Sequence, residues 1–214
     1  RCILLSERNL FSVINNQTRY THNIVPVFEI FKMVDIIDLC CYQRIFRGDS
    51  LRGFHKIRAH GARQGNQNLH IRGLSYQDMN DGNFFINPDT GDVLICDNDN
   101  VAPDKTSMGV LGKAGYMAPE IIEGVAMPNR YTDYYSLAVC LFILIYMNRP
   151  FEGAWYASCP CDNTPEMAKT LFGFSSVFIM DPNNAKNRPV PGAHNNVIRR
   201  WGLYPGLLAR AFCK

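Results

Sequence analysis

Fourteen residues, Tyr134 to Met147, form a nearly unbroken apolar run, with Asp133 before it and Asn148-Arg149 after it. A bilayer span needs roughly 20 such residues, so the run falls short of one. A helix that is apolar all round has to be buried. The run therefore reads as a core helix from Thr132 to Met147, around which the rest of a single domain must pack. Tyr134, Leu137, Leu141 and Leu144 form a stripe that reads as core. Asp133 can be read as an ordinary charge at the helix N-terminus, or its neighbour Thr132 as the cap.

Composition fits that picture. Hydrophobic residues make up 47% and charged residues 19% of the 214, the balance of a globular chain. The net charge is +3 and Lys and Arg form no run, which excludes a nucleic-acid partner. Cys2 to Leu5 is too short for a secretory signal, with Glu7 close behind. The eight cysteines are irregularly spaced, as suits reduced thiols in a cytoplasmic protein. Cys159-Pro-Cys161 lacks a second pair or nearby His ligands, so no metal is expected there. The chain opens on Arg1 rather than Met, and we expect a piece of a longer protein.

Two apolar patches, Cys2 to Leu5 and Ile24 to Ile30, precede an apolar stretch over 31–41. Residues 44–68 carry many Arg, His, Gly and Gln with little periodicity. Signals sharpen from Leu69. Asn83 to Ile86 and Asp92 to Cys96 read as strands joined by Asn87-Pro-Asp-Thr-Gly91, a strong turn. A short helix is expected after Pro119, with amphipathic pieces around Pro165 to Phe172 and Val197 to Phe212. His55, His60, His70 and His194 have no partner pattern and read as surface or satisfied polar residues. Trp155 and Trp201 read as packing.

The hairpin assembles a chemical set. Asp78 lies just before it, Asn83 at its start and Asp97 at its exit, so folding it brings the three to one end. An Asp can accept a hydroxyl proton, and an Asn carbonyl and an Asp carboxylate are hard oxygen ligands suited to Mg²⁺. Phosphoryl transfer needs this little: metal on phosphates, a carboxylate on the attacking hydroxyl, and positioning.

Tyr76-Gln77-Asp78-Met79-Asn80-Asp81-Gly82-Asn83 resembles the protein-kinase catalytic loop, His-Arg-Asp with Asn five residues on. Val93 to Asp99, ending Asp97-Asn98-Asp99, resembles the strand leading into Asp-Phe-Gly. Gly112 to Glu120, ending Ala118-Pro119-Glu120, resembles the close of the activation segment, and Asp133-Tyr-Tyr-Ser-Leu resembles the start of the central buried helix. Asp78 and Asp97 are 19 residues apart, and Asp97 and Ala118 are 21 apart, close to the family's habit.

The resemblance covers roughly residues 69–155. It implies an α+β fold, a mostly helical large lobe with a catalytic-loop hairpin and a truncated or missing small lobe. Residues 1–30 would be a remnant of the small lobe or hinge, and 31–214 the large lobe. Within that lobe, 76–83 is the catalytic loop, 97–99 the metal-binding turn and 97–120 the activation segment. By the same carry-over Asp78 is the catalytic base, Asn83 and Asp97 hold Mg²⁺ and nucleotide, and Glu120 and Asp133 are structural anchors. The implied activity is that of a Ser/Thr protein kinase, bacterial-looking in its divergent motifs, moving the ATP γ-phosphate to a protein hydroxyl.

The departures from the family pattern bear on activity. Tyr76-Gln77 replaces His-Arg, so the cation that would read a phosphate at Thr106 or Ser107 is missing. We therefore expect no switching by phosphorylation there. Asn80 stands where the catalytic-loop Lys is usual, and Lys113 stands where a Thr is usual. Lys113 would then supply the missing positive charge near Asp78. Asp-Asn-Asp loses the Phe and Gly that let the turn flip. No glycine-rich loop or strand Lys is visible in the 77 residues before Asp78. Asn187-Arg188-Pro189 offers an Arg to pair with Glu120, or that Arg lies past Lys214. Three alternatives stay open: a non-catalytic pseudokinase scaffold, an inactive piece of an active kinase, and a small-molecule kinase of the aminoglycoside or choline type, suggested by Asp81-Gly82-Asn83.

Overall fold

The computed structural model describes residues 68–86, 93–107, 109, 112–160, 164–204 and 206–213. The small-lobe remnant expected over 1–30, the stretch 44–68 up to its last residue, the tip of the hairpin turn and Cys161 lie outside the described residues.

The apolar run forms the longest described helix, α2 (Arg130–Tyr146). Its start corrects the sequence expectation. The helix begins at Arg130 and its cap is Asn129, not Thr132. The Asn129 carboxamide oxygen accepts from the Tyr131 and Thr132 amides, and the Thr132 hydroxyl accepts from the Asn129 amide. This reciprocal pair satisfies amides that the first helical turn leaves without partners, and it frees Asp133 for another use. The helix stops at Met147, which turns left-handed at φ 53°.

Packing radiates from α2. Tyr134, Leu137 and Leu141 are buried as the stripe requires, and Leu144 packs partly buried against the same core. Phe142 and Tyr146 meet Phe178, Trp201, Tyr204 and Phe212 at ring-centroid distances of 4.7–6.5 Å among the group, an edge-and-tilt arrangement that aromatic quadrupoles favour. Those partners come from the loop after α4 (Pro165–Phe172), from α5 (Asn195–Trp201) and α6 (Gly206–Phe212), and, for Tyr204, from the turn between these two. The expected amphipathic piece over 197–212 is thus two helices. A second cluster, Tyr116, Ala118, Ile121, Tyr135 and Val139, packs the short helix α1 (Pro119–Ile122) on the other side of α2. Helix α3 (Ala154–Ser158) follows α2. Among the described residues no helix is long and apolar enough to cross a membrane, and Cys96, Cys140, Cys159 and Cys213 are free thiols.

Two small antiparallel sheets lie beside this helical body. β2 (Phe84–Ile86) pairs with β3 (Val93–Ile95) in the register Phe84 to Ile95, which is the expected hairpin. β1 (Leu74–Ser75) pairs with β4 (Ala102–Pro103). This second pair ties the chain just before Tyr76 to the chain just after the turn at 98–100.

Candidate active site

Asp133 organises the loop that carries Asp78. Its carboxylate, 2% exposed, accepts from the Tyr76 amide at 2.7 Å and the Gln77 amide at 3.2 Å. Gln77 itself is left-handed, φ 67°, so the chain turns sharply just before Asp78. A third bond comes from the His70 ring at 2.8 Å. His70 is buried, with its ring edge-on to Tyr134 at 4.8 Å. Its Nε2 is the third anchor of this carboxylate, while its buried Nδ1 has no hydrogen-bond partner among the described residues, so the ring is only half satisfied.

The loop then closes on Asp78 with two amides. Asn80 donates to both the Asp78 carbonyl and its carboxylate at 3.1 Å, while the Asn80 oxygen accepts from the Gly82 amide at 3.0 Å and caps a 3-10 turn over Asp81–Asn83. The Asn83 side chain donates to the Asp78 carbonyl at 2.9 Å and to its other carboxylate oxygen at 3.4 Å. Asp78 is thereby held in one orientation, and among the described residues no cation pairs with either oxygen.

The hairpin carries Asp97 to the same place. The Cys96 amide donates to the Asn83 carbonyl at 2.9 Å, and the Tyr76 hydroxyl donates to the Cys96 carbonyl. Asp97 itself is left-handed, φ 57°, its side chain makes no capping bond, and it is exposed. Burial pushes the Tyr76 phenol above its ordinary pKa. A hydrogen bond with the Asn83 side chain opposes the push, and the Asp78 and Asp97 carboxylates add to it. One buried phenol thus stands among Asp78, Asn83 and Asp97, the three residues the sequence singled out. Tyr76 was legible only as a departure from a motif, and its tie to Cys96 had no signal in the sequence.

Two features come from the segment ahead of α1. Gly112, at φ +84°, lies so close to the loop that an added Cβ would sit 3.0 Å from the Gln77 carbonyl and 3.2 Å from the Asp78 carboxylate. Only glycine permits both the angle and the approach. Beside it, the Lys113 ammonium donates to the Asn80 side-chain oxygen at 3.0 Å. Upstream, the buried Gln77 amide donates to the Thr106 carbonyl at 2.9 Å and to the Ser75 hydroxyl at 3.3 Å.

Glu120 is buried at 9% exposure, and burial raises its carboxyl pKa, opposed only by its own backbone N–H. The pairing with Arg188 is not formed. Arg188 is exposed, and no ion pair joins it to Glu120 among the described residues. The inward residue is its neighbour Asn187, 1% exposed.

Asn83 and Asp97 together offer an amide oxygen and an unengaged carboxylate. Among the described residues no group of three His, Cys, Asp or Glu is gathered for a metal, so this pair is not a closed cage. It fits Mg²⁺, which keeps several waters and binds through one or two protein oxygens plus substrate phosphates.

A buried acid holds the loop, a pair of amides orients a second acid on it, and a third acid stands at the hairpin exit. The protein kinase domain model matches residues 9–171, and the chain belongs to that family. The match begins well upstream of Leu69, where the motifs first become legible. Curated relatives agree. The chain is 30% identical over 109 residues to the serine/threonine-protein kinase sck2 of Schizosaccharomyces pombe, covering 49% of this chain and 16% of that one. It is 34% identical over 89 residues to a putative protein kinase C delta type homolog of Drosophila melanogaster, covering 40% and 13%. It is 25% identical over 167 residues to MAP kinase-interacting serine/threonine-protein kinase 2 of Xenopus laevis, covering 65% and 36%. The matched regions span between 13% and 36% of these relatives' lengths.

Proposed function

We propose that this chain carries the catalytic half of a Ser/Thr protein kinase that moves the γ-phosphate of ATP to a protein hydroxyl. The hydrogen bonds that join Asp78 to Asn83, Asn83 to Cys96 and Cys96 to Tyr76, with Asp97 next along the chain, are the observation that supports it most. Asp78 takes the proton of a Ser or Thr hydroxyl as that oxygen bonds to the γ-phosphorus. The bond from phosphorus to the bridging oxygen breaks, and its electron pair leaves with ADP. The two amides of Asn80 and Asn83 keep Asp78 aimed at the incoming hydroxyl, which matters because positioning carries most of this reaction. Asn83 and Asp97 would hold Mg²⁺, which when bound offsets charge on the phosphate oxygens. Asp133 and Glu120 serve as structural anchors, and the protein works in the cytoplasm. The bond from Gln77 to the Thr106 carbonyl supports a segment docked by a neutral amide, with no phosphate at Thr106 or Ser107 required.

The test is transfer of labelled γ-phosphate from ATP, with Mg²⁺, to a mixed pool of Ser/Thr peptides by the full chain. Asp78→Asn should slow transfer by about 10²–10⁴-fold, the usual worth of a general base. An Asp78→Asn rate equal to wild type, or no transfer by the wild-type chain, would contradict the proposal.

A further inference from the structure

Lys113 is exposed on the segment that Gly112 presses onto the catalytic loop. Its ammonium donates to the Asn80 side-chain oxygen at 3.0 Å, and Asn80 in turn donates to the Asp78 carboxylate at 3.1 Å. A Lys ammonium has three donors, and the bond to Asn80 uses one. Phosphoryl transfer builds negative charge on the transferring oxygens, and a fixed positive charge there accelerates it. The loop residues from Tyr76 to Asn83 include no Lys or Arg of their own.

We propose that Lys113 orients Asp78 through Asn80 and provides the positive charge on the acceptor side of the transferring phosphoryl group. The site is then complete only when the segment carrying Lys113 is docked on the loop. This rests on the phosphotransferase reading above and adds the source of the charge. Lys113 thus positions Asp78 through Asn80 and, with its remaining N–H groups directed to the phosphoryl oxygens once substrate is bound, acts as a catalytic residue as well. Docking of the segment depends on two backbone features. Gly112 allows the close approach, and Gln77 holds the segment's beginning at Thr106.

Four forms of the full chain decide it: wild type, Lys113→Met, Lys113→Arg, and Lys113→Met combined with Asn80→Lys. The last moves the charge across a single hydrogen bond, from the segment to the loop. Lys113→Met should lower kcat by about 10²-fold, the scale for losing one preorganised electrostatic donor, with KM for ATP within about twofold. Lys113→Arg should recover much of the loss, and so should the Asn80→Lys combination. A purely structural lysine would give a different pattern: lowered thermal stability and no recovery on relocating the charge. Lys113→Met with wild-type kcat overturns the inference while leaving the phosphotransferase reading intact. A wild-type chain that transfers no phosphate overturns that reading, and this inference with it.

Discussion

Two buried carboxylates show how neighbours set the behaviour of a single residue. Burying a charge is costly unless hydrogen bonds compensate it. Asp133 has three donors, Tyr76, Gln77 and His70. Glu120 has no cation partner among the described residues, and burial raises its pKa above the ordinary 4.5. Folding therefore favours its protonated form. Above pH 4.5 the folded chain holds more of this proton than the unfolded chain, so stability falls as pH rises until the native carboxyl has ionised. Glu120→Gln keeps the shape and removes the titration. Urea midpoints followed from pH ~4.5 to ~7 should fall less steeply in the variant than in wild type. Parallel slopes would show that Glu120 is ionised at no cost.

Among the elements, α3 is held by one side chain. The Asn187 oxygen accepts from the amides of Gly153, Trp155 and Tyr156 at 3.0–3.2 Å, and its amide donates to the Phe151 and Val177 carbonyls at 2.7 Å. Gly153 has no room for a Cβ, which would lie 2.0 Å from the Asn187 carbonyl. Asn187→Ala strands several of these groups, costing about 3 kcal/mol and lowering Tm by roughly 6–12 °C in a chain of this size. Arg188→Ala, at an exposed site, should stay within about 0.5 kcal/mol. Equal Tm values for the two variants would contradict this account. The pair also shows what sequence reading lacks. Asn-Arg-Pro suggested an Arg facing Glu120, but which of two adjacent residues turns inward depends on backbone direction, and Asn187 is the one that does. Strands β1 and β4 were invisible for a related reason. Two residues each are too few for an alternating pattern to register.

At the scale of the whole molecule, legibility followed distance along the chain. Asp78, Asn83 and Asp97 could be read because one short hairpin with a strong turn gathers them. The buried helix could be read because fourteen apolar residues permit little else. The contacts that fix the site were hidden because they join distant residues: His70 to Asp133 across 63 positions, Gln77 to Thr106 across 29, and Lys113 to Asn80 across 33. Lys113 was an exception, since its place just after Gly112 already marked it as a cation near Asp78. What unites these contacts is that each acts on the loop carrying Asp78: Gln77 and Asn80 tie it to the segment ahead of α1, and His70 braces the Asp133 carboxylate that holds the Tyr76 and Gln77 amides, so the site is a property of the assembled fold.

The most direct test of that claim is thermal unfolding of the full chain with ATP, with and without Mg²⁺, beside Asp97→Ala. A ligand at about 100 times its Kd adds roughly 2.7 kcal/mol, a rise of roughly 5–11 °C in Tm. The account predicts a rise of this order that requires Mg²⁺ and disappears in Asp97→Ala. No rise in the wild-type chain at saturating nucleotide, or the same rise in the variant, would contradict it.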